Sequence, residues 1–210
     1  MRGFAPDPAT RPYTAPMPRA AFVPLLACLC AFAAQAVPRE SWTFDPQVLM
    51  ARSEAVITRA PDASLDRLFQ AVTGAARRPA ELQAMCALFD PAAARDLAAI
   101  NRTALAFGDD SRRAFQQATD ALLAASDDAP VQPYDPELAA RALRQSAIAT
   151  AMLYDGFVVA VNSPRSDPAS QRARCRALRQ LLDTVSMRPL PERAMITRLL
   201  MREGLRRVER

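Results

Sequence analysis

From residue 46 onward the chain reads as helix after helix, because its apolar positions recur at intervals of three and four. Leu82, Met85, Cys86 and Phe89 make one such stripe, and Cys175, Leu178, Leu182 and Val185 make another. No segment alternates apolar and polar residues as a half-buried strand would. The pattern predicts helices over 46–59, 62–77, 79–89, 91–107, 111–125, 136–161, 168–187 and 191–208. Their starts are marked by Asp-Pro, an N-cap acid followed by proline at the first helical position, at Asp45-Pro46, Asp90-Pro91, Asp135-Pro136 and Asp167-Pro168. Gly108 and the Asp109-Asp110-Ser111 cluster mark a stop and restart. Residues 126–133 read as a loop, residues 162–164 as a turn, and Pro189 with Pro191 separates the last two helices.

The Asp-Pro pairs at 45, 90 and 135 lie 45 residues apart and each follows an aromatic, Phe44, Phe89 or Tyr134. That period would suit helix-pair repeats. The three segments agree in little beyond their caps, so the expected fold is instead an all-α bundle of seven or eight helices in a single domain over residues 37–210. The helix at 136–161 takes the central position in this reading. Ile148, Met152 and Val159 share one stripe, with Ala147, Ala151, Tyr154 and Val158 beside it and Leu153 and Phe157 opposite, as on a helix buried on most sides. Asp155 falls inside the first stripe, where an unpaired carboxylate would be costly. A structural ion pair or a cap to a neighbouring loop is the plain reading, a carboxylate lining a functional cleft is the sharper one, and simple exposure is the third. Gly156 beside it permits the close approach of another helix.

Composition narrows the chemistry. The chain of 210 residues has no histidine, and its 27 basic residues are all arginine. Ser-His and Cys-His nucleophiles, histidine metal ligation, the phosphate-loop lysine and Schiff-base chemistry are therefore excluded. No cofactor or metal site is expected. Asp109-Asp110 and Asp127-Asp128 belong to no D-x-[DN]-x-[DN]-G calcium loop, and Ser146 lacks a G-x-S-x-G context. Acid–base work could fall only to carboxylates, tyrosine or cysteine. Asp155, with Glu137 and Glu81, keeps open the alternative of an envelope glycan hydrolase built on carboxylates.

Residues 1–36 read as an export signal. Arg11 and Arg19 precede an apolar run from Ala20 to Ala34 that ends in Ala34-Gln35-Ala36, a small-x-small cleavage pattern, and Met17 is an alternative start. Two other readings are an uncleaved anchor and a lipobox, Leu25-Leu26-Ala27-Cys28, with a lipidated Cys28. Cleavage leaves Cys86 and Cys175, an even pair bound for an oxidising compartment, so one disulfide is expected, with two separate buried thiols as the alternative.

Charge is unevenly spread. Residues 165–210 hold 12 arginines against 5 acids, whereas residues 37–164 hold 12 against 16. Arg172, Arg174, Arg176 and Arg179 on one helix, with Arg198 and Arg202 on the next, are the expected binding surface for a protein partner or an anionic envelope surface. Nucleic acid is not expected, since the last 46 residues hold no aromatic side chain for stacking. The sequence thus points to an exported helical domain that acts by binding, as an envelope adaptor, chaperone or inhibitor.

Overall fold

The computed structural model describes residues 51–94 and 96–208, with Val48. The export signal, Met17, Cys28, the Asp45-Pro46 cap and most of residues 46–52 lie outside the described residues. Among those described, every regular element is a helix: α1 (Ser53–Arg59), α2 (Asp62–Ala76), α3 (Pro79–Ala87), α4 (Leu97–Leu105), α5 (Asp109–Asp128), α6 (Pro136–Leu153), α7 (Phe157–Asn162), α8 (Pro168–Ser186) and α9 (Leu190–Val208). The fold is an all-α bundle, as the periodicity requires.

Proline and aspartate set several boundaries as the sequence suggests. Asp135 accepts hydrogen bonds from the amides of Glu137 and Leu138, and Asp167 from those of Ala169 and Ser170, each with proline next in the chain. Asp90 departs from this grammar. Its carboxylate caps only a turn, at Ala92 N (2.9 Å), and α4 begins later, with Asp96 accepting from Ala99 N (2.7 Å). The side chain of Asp90 is held instead by Arg174, which removes it from helix initiation. At the other extreme α5 runs on to Asp128, three residues past the expected stop, and ends just ahead of Pro130.

α2 lies at the centre, packed on α3, α5, α8 and α9. Phe69 and Ala76 of α2 meet Ala142, Leu182, Val185 and Ile196 in the main core. A second cluster joins Val56, Ala60, Leu65, Leu122 and Ala194, and a smaller one holds Phe157, Ala160 and Ala177. The expectation that residues 136–161 form one central helix is corrected on both counts. The segment is two helices, α6 and α7, and it lies against α8 and α9 with its outer side free.

Cys86 and Cys175 are joined, with their Cα atoms 5.4 Å apart, a separation ordinary for a disulfide. The bond ties α3 to α8 across 89 residues of chain. Asp66 of α2 and Arg193 of α9 add a two-pronged ion pair, Nε to Oδ1 at 2.7 Å and Nη2 to Oδ2 at 3.0 Å. Among the described residues no helix is long and apolar enough to cross a membrane.

Candidate functional site

The break between α6 and α7 creates the most unusual surface of the molecule. Gly156 sits at φ 80°, in the left-handed region that other residues enter only with strain, so the helix cannot continue through it. The amide of Tyr154 closes the last turn of α6 on Thr150 O (2.9 Å), and the amide of Ala160 opens α7 on Gly156 O (2.9 Å). A Cβ on Gly156 would meet nothing within 4 Å, so this glycine serves the turn and not a close helix approach. Asp155, expected inside a buried stripe, lies exposed in the turn.

Which face of α6 is buried follows from its small residues. Ala139, Ala142, Ser146 and Thr150 recur at three and four residues and all point inward. The two hydroxyls are internally satisfied: Ser146 donates to Ala142 O (3.0 Å), while Thr150 donates to Ser146 O (2.8 Å) and lies 2.9 Å from the Thr184 hydroxyl of α8. Small side chains let the helices approach closely and turn the bulky residues outward, about half a turn away. Ile148 is 61% exposed, Met152 83% and Val159 76%. Seven exposed large apolar side chains fall between 148 and 161, namely Ile148, Met152, Leu153, Tyr154, Val158, Val159 and Val161. Phe157 and Ala160 alone anchor α7, against Ala177 of α8.

Between α7 and α8 runs a groove of about 400 Å³. Val159 and Ala160 form one wall and Ala169, Ala173 and Ala177 the other, with Asp155 and Arg176 at its edges. Asp155 is the only carboxylate of this lining. Glu137 is exposed beside Arg141 (3.6 Å), and Glu81 is buried at the start of α5, accepting from Gly108 N at 3.2 Å. The three candidate carboxylates therefore do not converge, and the pair that glycoside hydrolysis needs is not assembled from them. Among the described residues no group of three or more cysteines or acids is placed to hold a metal ion. Asp109, Asp110 and Asp127 face Arg112, Arg113 and Arg52.

The arginines expected to share one surface are divided into three settings. Arg172, Arg176 and Arg179 are exposed on α8, Arg179 lying 3.9 Å from Asp183. Arg174 is buried. Its Nη2 meets Asp90 at 2.9 Å, and its Nη1 donates to Arg165 O (2.6 Å) and Ser163 O (3.2 Å). Ser166 and Gln171 also donate to Asp90, at 2.7 and 3.0 Å, so one clasp pins residues 163–167 to the turn after α3. The Ser166 hydroxyl first, then the Ala92 amide and Arg174, hold the Asp90 carboxyl below its usual range against the opposing effect of burial.

Arg198 is buried more completely, at 2% exposure. It donates to Ile57 O and Ala60 O at the end of α1 and stacks on Tyr134, 5.7 Å from the ring centre. Both Arg174 and Arg198 are thus corrected from binding residues to fastenings. Arg202, half-buried, borders a separate cavity between α1 and α9. A signal for the correction existed in the sequence. Arg174 continues the stripe Ala177, Leu178, Leu181, Leu182 and Val185, and Arg198 continues Ala194, Met201 and Leu205, whereas Arg172 and Arg176 lie off those stripes.

No family model, curated protein or solved structure matches this chain.

Proposed function

We propose that this is an exported binding protein whose working surface is the apolar elbow of α6 and α7 with the adjoining α7–α8 groove. The observation that carries the reading is the cluster of seven exposed apolar side chains at 148–161, nearly half of the fifteen exposed large apolar side chains among the described residues. Apolar surface concentrated in this way is unfavourable in water and is kept where something covers it. The disulfide is compatible with an oxidising compartment outside the cytosol.

The occupant is a segment of a protein partner, apolar along one side and carrying an acid. The apolar side fits the Val159 and alanine walls. The acid answers Arg176 at the groove edge and Arg172 one turn before it, neither of which has a carboxylate within 4.0 Å among the described residues. A helix laid into a groove is a common form of such recognition. An anionic lipid surface suits the site less well, because Asp155 at the rim would be repelled and a lipid surface does not enter a groove.

The test uses the full exported chain and the partner it captures from envelope extract, with affinity measured for Met152→Ser, Val159→Ser and Arg176→Glu. Each truncation removes burial worth about 1.5 kcal/mol, so the two apolar variants should bind about tenfold more weakly, and Arg176→Glu should also weaken binding. The remote variant Arg113→Glu should match the parent. Undiminished binding by Met152→Ser and Val159→Ser overturns the proposal, as does flotation with anionic liposomes that depends on the same residues while no protein is retained.

A further inference from the structure

A second cavity, of about 530 Å³, lies between α1, residues 131–134 and the last turns of α9, away from the elbow. Its walls are firmly built. The Gln132 amide donates to Thr58 O (2.8 Å), the Gln132 side chain donates to Pro130 O (2.9 Å), and Arg59 donates to Ala129 O (3.1 Å), so the irregular segment is strapped along α1. The Tyr134 ring is fixed against Arg198. Ile57, Val131 and Leu205 supply an apolar side to the cavity. Arg202 and Arg206, one turn apart on α9, supply a cationic one.

Three features of this lining point to an occupant. The Tyr134 hydroxyl is buried and makes no well-formed hydrogen bond among the described residues, only a weak interaction with the Arg202 guanidinium, a condition native proteins rarely leave unanswered. Arg206 shares its charge with Glu203 at 3.3 Å, but Arg202 has no carboxylate within 4.0 Å among the described residues. Glu54 also borders the cavity, and with Arg206 paired to Glu203 the cation of the lining left without an ion pair among the described residues is Arg202, which answers a single negative charge. A dianion would be over-charged there. Burial raises the Tyr134 pKa, with Arg202 and Arg198 opposing, so at neutral pH the hydroxyl remains a donor.

From this geometry we infer that the cavity is a binding site for a small monocarboxylate with an apolar body, its carboxylate on Arg202 and the Tyr134 hydroxyl and its chain against Ile57, Val131 and Leu205. Fatty acids of medium length and apolar α-amino acids share this chemistry. They differ in the ammonium group, which Glu54 would receive.

Isothermal titration of the full exported chain with octanoate, L-leucine and L-phenylalanine tests the assignment, with 1-octanol as the neutral control. At least one carboxylate should bind one-to-one with Kd below about 1 mM. Arg202→Gln should weaken it about tenfold and Tyr134→Phe several-fold, while the remote Arg113→Gln leaves it unchanged. Tyr134→Phe keeps the ring on Arg198, so an unaltered melting temperature shows that the fold is intact. Binding of octanoate alone identifies an acyl ligand, and binding of the amino acids alone identifies a zwitterion held also by Glu54. The inference is overturned if no carboxylate binds the parent chain, if octanol binds as tightly as octanoate, or if Arg202→Gln and Tyr134→Phe bind like the parent.

Discussion

Replacing Arg198 by methionine tests how the first helix is attached. Arg198 gives one hydrogen bond to Ile57 O and one to Ala60 O, two carbonyls at the end of α1 that the helix itself cannot satisfy. Asp62 lies 3.6 Å away but is half exposed, so water screens it and it adds little. A hydrogen bond from a charged donor is worth about 1.5–3 kcal/mol, and two are lost. Removing a cation from a site at 2% exposure recovers part of this, because burial disfavours the charged form and lowers the Arg198 pKa. Methionine also keeps much of the packing volume. The balance is a loss of about 3 kcal/mol, or about 6–12 °C in Tm for a domain of this size. Urea denaturation followed by circular dichroism gives the value, and hydrogen exchange locates it, with amides of residues 53–60 exchanging faster while those of α2 keep their ranking. Arg172→Met, on an exposed site, should change stability by no more than about 0.5 kcal/mol. A loss below about 1 kcal/mol for Arg198→Met would refute the reasoning, since the buried guanidinium would then be doing little to hold α1.

Three other outcomes follow from the same geometry. Cys86→Ser with Cys175→Ser removes a crosslink closing 89 residues of separation, and the denaturation midpoint should fall by the equivalent of about 4.5 kcal/mol in the chain-entropy estimate; an unchanged midpoint counts against it. Gly156→Ala should destabilise by about 1 kcal/mol from backbone strain alone, since φ is 80° and the new methyl meets no neighbour, whereas Gly74→Ala, in mid-helix, should not. Folded Asp90 and Asp167 titrate below their unfolded values, Asp167 at about 2 chiefly through the Ser170 hydroxyl and then its amide. Depressed carboxylates contribute stability that is complete above about pH 4 and is lost as pH falls toward 2. With no histidine in the chain, the stability measured by denaturant should be nearly flat from pH 5 to 8 and should fall below 4, less steeply in Asp167→Asn.

The helical class was legible because spacing and caps agreed: Asp135-Pro136 and Asp167-Pro168 begin α6 and α8 where the pattern puts them. Asp90-Pro91 carries the same dipeptide and fails because an arginine 84 residues away claims the carboxylate, a competition no local rule contains. The candidate site was harder to read. Apolar residues surround the second half of 136–161, a pattern that reads as burial on most sides. The deciding feature was the smallness of Ala139, Ala142, Ser146 and Thr150, which places those residues inward and leaves Ile148 and Met152 outside. Gly156 matters for its backbone angle and not for the space left by its missing side chain. For the arginines, count and charge were visible, but only position relative to each apolar stripe separates the fastenings Arg174 and Arg198 from the exposed Arg172 and Arg176.

A photo-crosslinking amino acid placed at Val159 in the full chain, with the exposed Ala124 of α5 as the control position, addresses the proposed docking surface most directly. Irradiation in the envelope should trap one protein at position 159 and not at 124, through a peptide that is apolar along one side and carries an acidic residue. Crosslinks at the two positions to the same proteins, or at 159 to lipid alone, would contradict the account.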